Sequence, residues 1–124
     1  MTEKRPNETT IGGIDFKAMG EDIDADFPEL KIGKGYDACW VVNDYADGEM
    51  RKVATFMDET CGRLLDVSSD QPGVQVYTGN WLSGSPRNKS GRSYDDYDGV
   101  AIECQGFPNS PNTPSFPSTL LRPG

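Results

Sequence analysis

Short apolar runs separated by turn-forming residues dominate the chain from about residue 38 onward. The runs are rich in Val, Ile and aromatic side chains, which favour the half-buried surface of a sheet. They predict strands over residues 38–43, 51–57, 63–69, 73–78 and 99–105. Asp47-Gly48 is a strong turn signal, and residues 58–62 are expected to join the second and third strands as a hairpin. This succession predicts an all-β sandwich, or part of one.

The first 34 residues have a different texture. They are polar, acidic and weakly periodic, which predicts an irregular segment with one short helix or turn. We therefore divide the chain into an irregular segment, residues 1–34, and a β-region, residues 35–124. No strand-like run precedes residue 38, and the chain stops at Pro123-Gly124 just after a strand-like pair, so we expect an open sheet edge. Such an edge predicts a partner, either a missing N-terminal half or a second copy of the chain.

Length, composition and charge narrow the classes of function. The 124 residues suffice for one modest domain, and the 14 glycines and 9 prolines favour short strands with many turns. The formal charge of −8 would be repelled by phosphate backbones, so we expect no nucleic acid partner. No apolar run is long enough to span a membrane and no signal-peptide pattern opens the chain. We therefore expect no membrane partner and a cytoplasmic location.

The cysteines add one further expectation. Cys39, Cys61 and Cys104 are odd in number and have no CxxC spacing. We interpret them as buried thiols in a reducing compartment, and a single disulfide between two of them is the alternative.

Several stretches of the β-region match, in order, the motifs of one enzyme family. They are Gly35–Asn43 (GYDACWVVN), Gly62–Val67 (GRLLDV), Gln71–Leu82 (QPGVQVYTGNWL), Gly99–Pro108 (GVAIECQGFP) and Pro114–Gly124 (PSFPSTLLRPG). Any one stretch would be weak evidence, but their order and spacing together are specific. Residues 35–124 thus resemble the C-terminal part of an aldose 1-epimerase (galactose mutarotase), whereas residues 2–34 fit it only loosely.

The resemblance implies a galactose mutarotase-like β-sandwich (supersandwich) and an isomerase that interconverts the α and β anomers of a hexose such as glucose or galactose. It implies a hexose as the small-molecule partner and no metal or organic cofactor. The reaction needs a base that removes the proton of the anomeric hydroxyl and an acid that protonates the ring oxygen, so that the ring opens and closes again on its other face.

Three residues match the family's functional positions, and each has a structural alternative. Glu103 matches the catalytic base; alternation places it on a strand face with Ala101 and Gln105, and the alternative is an edge strand with Glu103 in water. Asp37 matches an aspartate that binds sugar hydroxyls, and the alternative is turn chemistry after Gly35. Gln75 matches a glutamine that lines the pocket, and the alternative is an outward-facing polar residue between two valines.

Other suggestive residues are assigned structural roles. Trp40, Tyr77, Trp81 and Phe107 include candidates for a sugar-stacking surface, but core packing is expected for most of them because aromatic side chains bury large areas. Residues 94–98 (YDDYD) form an acidic cluster whose spacing matches no EF-hand loop, so a solvated loop is expected there.

The sequence contains no histidine. In the family the general acid is a histidine in an upstream segment, and the histidine that normally follows the GYD aspartate is Ala38 here. The loss of a positioned acid removes roughly 10²–10⁴-fold of rate, so we expect negligible mutarotase activity from this chain alone. Two other functions stay open: a non-catalytic carbohydrate-binding or interaction module, and a glycoside hydrolase with Asp37 and Glu103 as its carboxylate pair.

Overall fold

The computed structural model describes residues 34–58 and 60–123, which form five strands and one short 3-10 helix. The strands are β1 (Asp37–Val41), β2 (Arg51–Asp58), β3 (Arg63–Ser69), β4 (Gly73–Tyr77) and β5 (Ala101–Gln105), and the 3-10 helix is Ser110–Asn112. All five predicted strands are confirmed, with ends that differ by two residues or fewer. The predicted helix or turn of the first 34 residues falls outside the described ranges, apart from Lys34.

The strands form two antiparallel sheets. One sheet has three strands in the order β1-β4-β5, and the other is the hairpin of β2 and β3. β4 lies in the middle of the larger sheet and is the most buried of its three strands, with Val74 and Val76 buried among apolar neighbours. The all-β prediction is therefore confirmed for the described part of the chain.

The two sheets pack against each other through a small apolar core. Val42, Val74 and Val76 form its buried centre, and Val53 and Phe56 of the hairpin pack against them. Alternation places Val74 and Val76 on one face of the larger sheet, together with Ile102 and Cys104 of β5 and Trp40 of β1. The opposite face of the larger sheet is consequently free to carry polar side chains.

The hairpin between β2 and β3 closes through a turn that Asp58 organises. Its carboxylate accepts hydrogen bonds from the Cys61 thiol at 2.9 Å and from the Thr60 hydroxyl and backbone N–H at 2.6 and 2.9 Å. These bonds, that from Cys61 first, lower the pKa of Asp58 to about 2. Gly62, at φ 69°, donates its N–H to the Asp58 carbonyl and completes the turn.

The hairpin also exposes apolar side chains near this turn. Met57 and Leu64 face each other across the two strands and are 60% and 59% exposed, and Leu65 is 51% exposed. A two-stranded ribbon with so little apolar cover is marginal by itself in water. The described residues therefore leave an uncovered apolar surface at this end of the molecule.

The interpretation of the cysteines needs one correction. All three thiols are free, which agrees with the main interpretation, but Cys61 is exposed because it lies in the hairpin turn rather than on a packed strand face. Cys39 is buried, and that burial raises the pKa of its thiol to about 11. In the ranges 34–58 and 60–123 we find no helix of the length and apolar character that crossing a membrane requires.

Candidate functional site

Asp37, Gln75 and Glu103 lie on the same face of the three-stranded sheet. Gln75 of β4 is directly opposite Glu103 of β5, and Asp37 of β1 is opposite Tyr77, two residues further along β4. Directly opposed residues share a face, and so do residues two apart on one strand. We call this surface, opposite the valine core, the polar face.

A hydrogen bond joins two of the three candidate residues. Gln75 Nε2 donates to Asp37 Oδ1 at 2.6 Å, although the residues are 38 positions apart in sequence. A bond to a carboxylate is stronger than one between neutral groups, so it holds both side chains in a defined orientation. Asp37 is the first residue of β1 rather than part of a turn, and Gln75 is half-buried on the polar face.

Glu103 lies across β4 from Asp37 and is exposed on the polar face. Adjacent strands are about 4.8 Å apart and Asp37 lies two residues along β1 from the position level with Glu103, so the Cα atoms of Asp37 and Glu103 are separated by about 12 Å. The residue of β5 that faces Tyr77 is Ala101, whose small side chain leaves space beside Glu103. Two carboxylates and one amide thus border this part of the polar face and can accept hydrogen bonds from hydroxyl groups.

The aromatic candidates separate into different environments. Trp40 packs against the valine core, and the Phe107 ring contacts that of Phe116 edge-on at 5.2 Å between centroids. Tyr77 is on the polar face, where its hydroxyl accepts a hydrogen bond from the backbone N–H of Trp81 at 3.0 Å. Trp81 is 58% exposed, with the Lys34 ammonium 3.9 Å from its ring centroid.

A buried polar cluster, which the sequence analysis did not single out, adjoins the polar face where β1 begins. Asn80 is fully buried and donates from Nδ2 to the Tyr36 carbonyl oxygen at 2.9 Å. Thr78 Oγ1 accepts from the Tyr36 N–H at 2.9 Å and donates to Asn80 Oδ1. The signal that could have revealed it is Thr-Gly-Asn after a buried strand, together with Gly35 before the aspartate.

The acidic cluster at residues 94–98 forms a loop, as expected. Asp96 accepts hydrogen bonds from the Ser83 backbone N–H at 2.8 Å and from the Ser83 side chain, and these bonds lower the pKa of Asp96. No group of three or more metal-ligating side chains occurs in the described part of the chain. The Asp96 carboxylate therefore stabilises the loop through its bonds to Ser83.

Comparison with known proteins decides the family. The aldose 1-epimerase family model matches residues 5–124 of the chain. The chain belongs to the aldose 1-epimerase family. The antiparallel, all-β architecture of residues 34–58 and 60–123 is that of the galactose mutarotase-like sandwich, as the sequence motifs implied.

Individual relatives show how much of an aldose 1-epimerase the chain represents. It is 51% identical over 63 residues to galactose mutarotase of Mus musculus, covering 51% of this chain and 18% of that protein. It is 35% identical over 123 residues to aldose 1-epimerase of Escherichia coli K12, covering 93% of this chain and 34% of that protein. The Haemophilus influenzae aldose 1-epimerase is 38% identical over 106 residues, covering 83% and 29%. The chain thus spans at most about a third of these relatives.

Proposed function

We propose that the polar face binds a hexose and serves the interconversion of its α and β anomers. Glu103 is the general base, and Asp37 and Gln75 bind the sugar hydroxyls. The observation that carries this proposal is the meeting of the three side chains on one sheet face, with the bond from Gln75 to Asp37, in a chain of the aldose 1-epimerase family.

The geometry supports a division of labour among the three residues. The Asp37 carboxylate keeps acceptor capacity after accepting the Gln75 amide, so it can also accept a sugar hydroxyl. The Gln75 amide oxygen can accept a second hydroxyl. Glu103, one strand further along, then faces the opposite side of the ring and can take the proton of the anomeric hydroxyl.

The general acid is the part of this chemistry that the chain does not supply in its usual form, since the sequence has no histidine. Tyr77 carries a hydroxyl group on the polar face, whereas Tyr36 is 1% exposed and is buried next to the Asn80 cluster. We infer that the 124 residues alone bind the sugar without turning it over and that the acid comes from outside them. The alternative is that the Tyr77 hydroxyl is the general acid, and Tyr77→Phe, which lacks that hydroxyl, tests it.

A two-part experiment tests the proposal. Titration of the isotopically labelled chain with D-galactose or D-glucose should shift the NMR signals of Asp37, Gln75 and Glu103. Asp37→Asn should weaken this binding about tenfold, because a charged acceptor becomes a neutral amide. Asp44→Asn is the matched control, since Asp44 is exposed and its φ of 53° suits asparagine equally well.

Polarimetry of fresh α-glucose is the second part. The chain alone should not accelerate mutarotation above buffer. When the chain is supplied with the N-terminal part of a relative, any activity that appears should fall about 10²–10⁴-fold in Glu103→Gln. Sugar-induced shifts confined to other surfaces, or activity that survives Glu103→Gln, would refute the assignment. Hexose binding without activity in any combination would favour the non-catalytic carbohydrate-binding module.

A further inference from the structure

The segment at residues 78–80 follows β4 directly and contacts the chain where both neighbouring strands begin. On one side, Asn80 and Thr78 bond to the backbone of Tyr36, immediately before Asp37 and β1. On the other side, a Cβ placed on Gly79 would lie 2.5 Å from the Gly99 carbonyl oxygen, two residues before β5. The three strands that carry the candidate site residues are thus joined at one end of the sheet.

The contacts to Tyr36 fix both peptide groups that flank it. Its N–H donates to Thr78 Oγ1 at 2.9 Å, and its carbonyl oxygen accepts from Asn80 Nδ2 at 2.9 Å and from the Thr78 N–H at 3.2 Å. The second of these peptide groups contains the nitrogen of Asp37. Its orientation therefore sets the direction in which the Asp37 side chain leaves the strand.

The cluster is isolated from water, which makes its geometry hard to change. Asn80 is 0% exposed, Tyr36 is 1% exposed and Thr78 is 8% exposed. Buried polar groups that lose their partners are costly, so the side chains have few alternative arrangements. In contrast, the Asp37 side chain is exposed, and its orientation depends on the bond from Gln75 and on the direction that its backbone gives it.

We propose that Thr78 and Asn80 are positioning residues of the hexose site. They hold the peptide groups on either side of Tyr36 so that the Asp37 carboxylate meets the Gln75 amide and faces the sugar. This inference rests on the proposed function, because Thr78 and Asn80 act on the sugar only through the position of Asp37.

Two variants at position 78 distinguish the effect of the Thr78 hydroxyl from the effect of the size and shape of the side chain. Thr78→Val keeps the shape but cannot accept from the Tyr36 N–H or donate to Asn80, whereas Thr78→Ser keeps the hydroxyl. Asn80→Asp is the complementary change, because it removes the donor to the Tyr36 carbonyl. Ser69→Ala is the control for stability, since Ser69 is buried and its hydroxyl caps a turn at Gln71 away from Asp37.

Two readouts are measured on each folded variant. The side-chain amide signals of Gln75 report its bond to Asp37 without any ligand, and titration with D-galactose reports binding. We expect Thr78→Val to move the Gln75 amide signals toward those of a free amide and to weaken binding about tenfold. Thr78→Ser and Ser69→Ala should leave both readouts close to wild type.

The two readouts keep this inference distinct from the proposed function. Wild-type Gln75 signals in a folded Thr78→Val chain, or the same change in Ser69→Ala, would overturn the positioning role. If Asn80→Asp does not fold, Thr78→Val and Thr78→Ser still decide. If the wild-type chain fails to bind D-galactose, the proposed function fails, and the ligand-free Gln75 amide signals still decide whether Thr78 positions Asp37.

Discussion

Alanine at position 35 would place its Cβ 2.5 Å from Asn80 Oδ1 and 2.6 Å from Thr78 Oγ1. Heavy atoms cannot remain that close, so the Thr78 and Asn80 side chains must move. Gly35 also has a φ of 147°, far from the left-handed well near +57° that other residues visit. The substitution therefore disturbs the buried cluster by steric contact and strains the backbone at the same time.

The expected loss of stability can be estimated from these two effects. Backbone strain of this kind costs about 1–3 kcal/mol. Displacing Thr78 breaks its bond with the Tyr36 N–H, at about 1–3 kcal/mol, and displacing Asn80 removes one of the bonds to the Tyr36 carbonyl, which keeps that from the Thr78 N–H, at about 1 kcal/mol. Alanine also lowers the conformational entropy of the unfolded chain, which offsets about 0.4–1 kcal/mol of the loss in stability. We expect Gly35→Ala to lower the free energy of unfolding by about 4 kcal/mol.

Gly48→Ala is the matched control. Gly48 also has a positive φ, 72°, but nothing lies within 4 Å of a Cβ built there, so only strain of about 1 kcal/mol remains. Urea unfolding followed by tryptophan fluorescence should show the midpoint of Gly35→Ala about 2 M below that of Gly48→Ala. Midpoints for the two variants within about 0.5 M of each other would refute the reasoning, because the contacts with Asn80 and Thr78 would then carry no cost.

Two further predictions concern the hairpin. Because the pKa of Asp58 is depressed, the hydrogen bonds to its carboxylate are fully present above pH about 4 and are lost as the pH falls toward about 2. The melting temperature should therefore fall over this pH range, and it should fall less in Asp58→Asn. A pH profile of the melting temperature that is identical in the two proteins would contradict this. The exposed side chains of Met57, Leu64 and Leu65 should make the chain bind ANS and associate with rising concentration, and Leu64→Lys should weaken both effects. Wild-type ANS fluorescence in Leu64→Lys would show that the dye binds elsewhere.

The strands were predictable from local pattern, but the strand order of the larger sheet was not. Alternating β-rich residues identified β2, β3 and β4 almost to the residue, since their sequences match the period of a strand. The hairpin of β2 and β3 was predicted from the turn at residues 58–62 and is confirmed, whereas the position of β4 between β1 and β5 depends on long-range packing that no local pattern encodes. The start of β1 shows the same limit. The local pattern placed it at residue 38, because a turn was expected after Gly35, but the strand begins one residue earlier, at Asp37.

The candidate site was predictable only where family motifs pointed to it. Alternation alone put Glu103 on a face opposite Ile102 and Cys104, and the structure has this arrangement. The bond between Gln75 and Asp37 could not be derived, because nothing local relates residues 38 positions apart. Asn80 was missed for a related reason: a buried asparagine in a loop has no periodic signature.

The junction at residues 78–80 also bears on how the chain folds. Its bonds to Tyr36 close loops of 42 and 44 residues, whereas the hairpin of β2 and β3 needs only a short turn. Because loop closure costs entropy before distant contacts repay it, the hairpin can form early and the junction forms late. The backbone amide of Tyr36 should then exchange its hydrogen only when the larger sheet comes apart, whereas hairpin amides exchange through local opening. The sheet face that carries Asp37 and Gln75 is consequently completed late in folding.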